Sequence, residues 1–236
     1  MEKNSRIVLV NGGTGGLGIA VAKKFLETDA KVFVSFTKES SFEKLTDKLG
    51  SSENLYGIQA DLKVEEQAQN LFHEIYSLYG KLDILCHLTG GFWMGGDICE
   101  TPLGKWNNMM DLNLLTTFLA VKEAFKIMRK QEEGKIFTVS ARTALELPTG
   151  MGAYSVSKAA ILALTEVLAK EGKEFNIQVN AILPSIIDTD HNRKNMPNAD
   201  FTKWVSPEEI ADVIFAFSGQ KFRISSGSRI KVYGKA

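Results

Sequence analysis

The strongest constraint on the fold is a run of glycines directly behind the first apolar segment. Ile7-Val-Leu-Val10 leads into Asn11-Gly-Gly-Thr-Gly-Gly-Leu-Gly18, and a helical pattern begins inside that cluster. Glycines at a strand-to-helix turn permit a tight reversal, let the backbone approach a pyrophosphate, and allow the helix to pack closely on the sheet. The helix start then offers unpaired N–H groups and the positive end of its dipole to phosphate oxygens. The cluster predicts a dinucleotide site lined by Gly12, Thr14, Gly15, Gly16, Leu17 and Gly18.

The rest of the chain repeats the same strand-then-helix unit. Short β-branched runs at Ile7–Val10, Lys31–Phe36, Asn54–Ala60, Leu82–His87, Gly134–Ser140, Gln178–Leu183 and Arg229–Tyr233 read as strands. Between them, segments of helical period lie near Gly16–Thr28, Phe42–Leu49, Val64–Tyr79, Leu103–Arg129, Gly152–Glu174 and Pro207–Phe217. This alternation predicts an α/β fold: a Rossmann-type, doubly wound parallel sheet of about seven strands with helices on both faces. No linker or repeat interrupts it, so residues 1–236 are read as one dinucleotide-binding catalytic domain. Ser206-Pro-Glu-Glu209 has an N-cap hydroxyl, a proline at N1 and an acid at N3, which marks a helix start. The segment Ser185–Val205 is polar and irregular by contrast, and a loop beyond the carboxyl end of a strand is where a substrate lid would sit.

Charge and composition narrow the partners. Lys plus Arg and Asp plus Glu number 28 each, so no basic excess points to nucleic acid or a membrane surface. A small, weakly charged substrate fits better. The segment Met1–Arg6 lacks the apolar core of a signal peptide, and no run of about 18 apolar residues stands out as a membrane span. A cytoplasmic protein is expected. Cys86 and Cys99 have no metal-ligand spacing and are read as packing residues, and no metal site is expected.

Tyr154-Ser-Val-Ser-Lys158 opens a long helical segment, and the one-turn spacing puts phenol and ammonium on one face. A cation beside a phenol favours the phenolate and lowers its pKa, so this pair is the candidate for proton transfer. On its own the spacing is common; here it follows the fifth predicted strand of a chain that already carries the glycine loop.

Together these features resemble the short-chain dehydrogenase/reductase family over essentially the whole chain. Gly12, Gly16 and Gly18 match its T-G-x-x-x-G-x-G loop, with Asn11 where the family usually has threonine. The resemblance implies NAD(P)-dependent hydride transfer between nicotinamide and a carbonyl or alcohol carbon. Tyr154 would be the general acid/base, and Lys158 would also bind the nicotinamide ribose. It further implies that Asp61, with Leu62 beside it, contacts adenine. Asn113 in Asp111-Leu-Asn-Leu114 would complete a proton relay, and Gly90 would line the cofactor. Ile187 and Thr189, in Pro184-Ser-Ile-Ile-Asp-Thr189, would hold the carboxamide, with Ser185 replacing a family glycine.

The chain departs from the family pattern in two places. Where the family has N-N-A-G, this chain has His87-Leu-Thr-Gly90; His87 either lines the cofactor site or, the favoured reading, satisfies a backbone partner at the end of a buried strand. Ala141 stands where the family's substrate-binding serine would fall, one place after Ser140. Either a one-residue bulge brings Ser140 into that catalytic role, or the enzyme does without it. The stretches Ser140-Ala-Arg-Thr-Ala-Leu145 and Gly150-Met-Gly-Ala-Tyr154, with the Gly90–Gly96 loop, resemble the dihydropteridine reductase branch. That branch reduces a quinonoid ring with tyrosine and lysine alone.

Cofactor choice turns on Phe36-Thr37-Lys38, which offers no acid for a ribose hydroxyl. Thr37, Lys38 and Ser40 suit a 2′-phosphate, which favours NADP and leaves NAD as the alternative; Gly15, where many NADP users have a basic residue, argues the other way. Phe92, Trp93, Met94 and Trp204 suit an apolar substrate pocket or, as readily, the core. The stretches Leu112–Val121 and Ala159–Leu168 are apolar around most of the helix, which predicts a homodimer or homotetramer. The alternative from another class is a non-catalytic NADP(H)-binding sensor.

Overall fold

The computed structural model describes residues 5–50 and 52–235. In chain order the elements are β1 Ile7–Asn11, α1 Gly16–Leu26, β2 Lys31–Phe36, α2 Glu39–Leu49, β3 Leu55–Gln59, α3 Glu65–Tyr79 and β4 Ile84–His87. They continue with α4 Leu103–Met109, a π-helical turn Met110–Leu115, α5 Thr116–Gln131, β5 Gly134–Val139, α6 Thr143–Glu146 and α7 Gly152–Glu171. The last are β6 Ile177–Pro184, α8 Asp190–Asn195, α9 Pro207–Ser218 and β7 Arg229–Val232.

The strands form one seven-stranded sheet in the order β3-β2-β1-β4-β5-β6-β7. Every pairing is parallel. The pleat explains the unbroken apolar runs. In β1, Ile7 and Leu9 join the layer formed with α3, α5 and α7, whereas Val8 and Val10 join the layer with α1, α2 and α9. A strand covered on both faces has no side left for polar residues. β7 lies at the sheet edge and alternates exposed Arg229 and Lys231 with half-buried Ile230 and Val232. The strand order reverses between β1 and β4, which opens the crevice at their carboxyl ends.

Several expectations need correction. The long helix read as Leu103–Arg129 is broken by the π-helical turn. The Ser185–Val205 segment is built rather than irregular: Ile187 bridges Val205, and α8 sits between them. Of the two readings of Trp204, pocket or core, the structure supports the core: it is only 8% exposed and packs on Phe201 with ring centroids 4.8 Å apart. Cys86 is buried as expected, but Cys99 is exposed in the 3-10 turn Ile98–Glu100 rather than packed.

By length and composition α7 is apolar enough to cross a membrane, contrary to the sequence expectation, with half of that window buried in the fold. Its inner face lies on β5 and β6, which accounts for much of that apolarity. The capping box at α9 forms as read: Ser206 Oγ accepts from the Glu209 amide at 3.2 Å, and Glu209 Oε2 accepts from the Ser206 amide at 2.8 Å.

Candidate active site

The glycine loop is a cradle that side chains would fill. Gly12 has φ +73°, and a Cβ there would lie 2.9 Å from the Thr89 amide nitrogen across the crevice. A Cβ on Gly18 would collide with the Gly12 carbonyl, and one on Gly16 would lie 2.7 Å from Thr189 Cγ2. α1 opens at Gly16 with no side-chain cap and no acid in its first turn, so the amides of its first turn are left for an anion. Thr14 is half-buried in the loop, Gly15 is exposed, and Leu17 packs on the apolar layer beneath. The residues present fit a pyrophosphate. Thr189, expected at the carboxamide, meets the loop at Gly16, and Ile187 holds it there by accepting from the Thr189 amide at 2.9 Å.

At the adenine end, Thr37 and Lys38 stand exposed beyond β2. Gln59 Nε2 donates to the Thr37 carbonyl at 3.0 Å. Asp61 is half-buried, its amide donating to Gln67 Oε1 at 2.7 Å and its carboxylate accepting from the Lys63 amide at 3.0 Å. The Leu62 side chain is in the core at 4% exposure, which leaves its backbone as the part able to meet a nucleotide.

His87 is buried as expected, but its partners are side chains rather than backbone. Asn11 Nδ2 donates to His87 Nδ1 at 3.3 Å, and His87 Nε2 lies 3.3 Å from Thr116 Oγ1, which donates to the Leu112 carbonyl at 2.8 Å. With Nδ1 accepting, the proton sits on Nε2. Burial, helped by the charge of Lys158, pushes the imidazole pKa down to about 3 and keeps the ring neutral. The chain of contacts ties the glycine loop to the π-helical turn.

Tyr154 and Lys158 occupy the opening of α7, as the spacing predicts. Lys158 Nζ donates to the Val139 carbonyl at 2.9 Å and lies 5.9 Å from the centre of the Tyr154 ring. Burial pushes the ammonium down to about 8. Burial also pushes the phenol up to about 12, opposite to the lowering expected from the nearby cation, because desolvation of the phenolate dominates. Tyr154 is therefore a neutral phenol at working pH. Phe92 stands edge-on to it with ring centroids 4.9 Å apart. Ser140 is 1% exposed and donates to the Lys158 backbone carbonyl at 2.7 Å.

The π-helical turn carries Asn113 inward to complete burial. Its Oδ1 accepts from the Gly91 amide at 2.8 Å, and its Nδ2 donates to the Gly91 carbonyl at 3.2 Å and to Ser157 Oγ at 3.0 Å. A Cβ on Gly90 would lie 2.8 Å from Asn113 Oδ1 and 3.1 Å from Lys158 Nζ, so glycine alone lets these groups converge. The structure brings Tyr154, Lys158, Asn113 and Gly90 to one place, together with Ser157, which the sequence reading does not single out. The only signal for Ser157 is its place inside the Tyr154–Lys158 motif. A groove of about 830 Å³ at the opposite end of the strands, lined among others by Lys170, Lys173, Arg223 and Arg229, contains none of these residues.

Comparison with known proteins bears on this geometry. The family model described as short chain dehydrogenase matches residues 6–200. The chain is 31% identical over 222 residues to the uncharacterized oxidoreductase YxjF of Bacillus subtilis (strain 168), covering 93% of this chain and 86% of that protein. It is 28% identical over 244 residues to the 3-oxoacyl-(acyl-carrier-protein) reductase FabG of Aquifex aeolicus (strain VF5), covering 99% and 98%. Among solved structures, ElxO with NADP bound superposes with a TM-score of 0.91 at 27% identity, covering 98% of each chain.

Proposed function

The chain belongs to the short-chain dehydrogenase family, and we propose that it is an NADP-dependent reductase in which Tyr154 delivers a proton to a carbonyl or quinonoid ring substrate. The observation that carries this reading is the convergence of a half-buried Tyr154 with Lys158 and Asn113 beside a glycine cradle that fits a pyrophosphate. NADPH, when bound, supplies the hydride, and NADP+ is left.

The chain's own residues do the rest. The glycine loop and the start of α1 take the phosphates, with Asp61 and Leu62 at the adenine and Ile187 and Thr189 at the carboxamide. Thr37 and Lys38, the two residues that follow β2 and neither of them an acid, receive the 2′-phosphate, and the NADP held by ElxO supports that preference. Lys158 binds the nicotinamide ribose and its charge favours loss of the Tyr154 proton as the substrate oxygen or nitrogen becomes basic. Ser140 acts on Lys158 rather than on substrate, because its proton is committed to the Lys158 carbonyl. A substrate that accepts hydride without an oxyanion donor suits this site, which favours a quinonoid ring. The protein works in the cytoplasm as a homodimer or homotetramer.

Titration with NADPH and NADH, followed by turnover of ketones, quinones and quinonoid pterins, tests the reading. NADPH is expected to bind more tightly. Tyr154→Phe is expected to lose at least about a hundredfold in kcat, the low end of what general acid catalysis contributes, with NADPH affinity unchanged. Full activity in that variant, or a clear preference for NADH, would overturn the corresponding part.

A further inference from the structure

The hydroxyl of Ser157 is fully buried on α7, and its two hydrogen bonds reach different parts of the site. It donates to the backbone carbonyl of Tyr154 at 2.7 Å and accepts from Asn113 Nδ2 at 3.0 Å. Asn113 commits the rest of its amide to both backbone groups of Gly91. The next residue, Phe92, packs edge-on against the Tyr154 ring. The contacts close a circuit from the Tyr154 carbonyl through Ser157, Asn113, Gly91 and Phe92 back to the phenol.

We infer that Ser157 is a positioning residue for the reaction, holding the phenol of Tyr154 against the Gly90–Gly96 loop through Asn113. The inference rests on the reading of Tyr154 as proton donor. A serine this deep in a helix needs a reason, since alanine is the better helix former. Satisfying its own proton on the Tyr154 carbonyl would not require the second bond. The accepting lone pair is what Asn113 uses: with one Nδ2 proton given to the Gly91 carbonyl at 3.2 Å, the alternative to Ser157 for the other is the weak acceptor Met109 Sδ at 3.8 Å.

Removing the hydroxyl leaves a buried amide proton unpaired, which Asn113 relieves by turning from Gly91. Phe92 then loosens from Tyr154 and water reaches Lys158. The glycine cradle is tied in by the separate Asn11, His87 and Thr116 contacts, so cofactor binding is spared.

The test compares Ser157→Ala, Ser157→Cys and Ser157→Thr in the full chain, using a substrate that the parent enzyme turns over. Cysteine keeps the volume but is a weak hydrogen-bonding group; threonine keeps the hydroxyl. The Ala and Cys variants are expected to lose about tenfold in kcat, the equivalent of one buried hydrogen bond. The alkaline limb of their pH profile should move to higher pH as Lys158 regains water, with NADPH affinity near that of the parent, and Ser157→Thr should restore both readouts. A kcat within about twofold of the parent in the Ala and Cys variants, with the alkaline limb unmoved, overturns the inference. So does a loss that follows Tm and NADPH affinity in all three variants alike. A parent enzyme that turns over none of the panel despite binding NADPH overturns the reading of Tyr154 itself, an outcome recognisable because it appears before any substitution.

Discussion

Lys158 meets two opposing demands, since its ammonium must be charged to act on Tyr154 and ribose yet lies where charge is penalised. Its pKa falls from 10.5 to about 8 because burial desolvates it, so at neutral pH the folded protein bears a cost of about 3 kcal/mol for keeping it protonated. Between about 8 and 10.5 the unfolded chain binds the proton and the folded one does not. Stability from this group therefore rises with pH across that window, and the cost is fully present below it. Lys158→Met is expected to be inactive but to melt several degrees above the parent at neutral pH. The gain should shrink as pH is raised from 8 to 10.5. A variant that melts lower at neutral pH, or a gap that widens with pH, would contradict the assignment. Tyr154 and Lys158 were legible because their one-turn spacing is local. The rise of the Tyr154 pKa was not, because it depends on how deeply the fold buries the ring, and the side-chain partners of His87 were hidden because Asn11 and Thr116 reach it from other elements.

Among the elements, those specified by short-range chemistry were read closely and those specified by packing were not. Strands β2 and β7 start where the β-branched runs start, and α9 begins at its capping box. The π-helical turn at Met110–Leu115 leaves the apolar pattern of a long helix almost unchanged, so periodicity alone does not announce it. What holds it is side-chain chemistry: Thr116 and Thr117 hydroxyls donate to the carbonyls of Leu112 and Asn113 at 2.8 and 2.6 Å. α9 offers the cleanest test at this scale, because the hydrogen bonds of its cap are between Ser206 and Glu209 and involve none of Tyr154, Lys158 or Asn113. Ser206→Ala is expected to cost about 1 kcal/mol, lowering Tm by about 2–4 °C in a chain of this size, with NADPH affinity unaltered. An unchanged Tm in calorimetry would mean that packing of α9 on α1, not the cap, sets its stability.

On the scale of the whole molecule, the outer faces of α5 and α7 are the surface that the sheet leaves uncovered. Phe118 on α5 and Val156 and Val167 on α7 are exposed at 45%, 43% and 50%. These helices pack their inner faces into the same apolar layer over the sheet, so their outer faces look the same way. Apolar residues scattered singly over a surface need no partner, but here they recur on adjacent helices that are also apolar on their buried side. A second copy of the chain would satisfy that face, as the homodimer or homotetramer proposed above requires. Light scattering on the purified protein is expected to give a mass at least twice the 26.1 kDa of the chain. Placing a carboxylate on this face, by Phe118→Asp or Val167→Asp, should shift the mass toward that of one chain, because an unpaired charge is costly in a desolvated interface. Both sites lie outside the Tyr154 circuit and the glycine cradle, so NADPH affinity should persist in the dissociated variants. A parent protein that is monomeric at micromolar concentration, or Asp variants that keep the parent mass, would remove α5 and α7 as the interface.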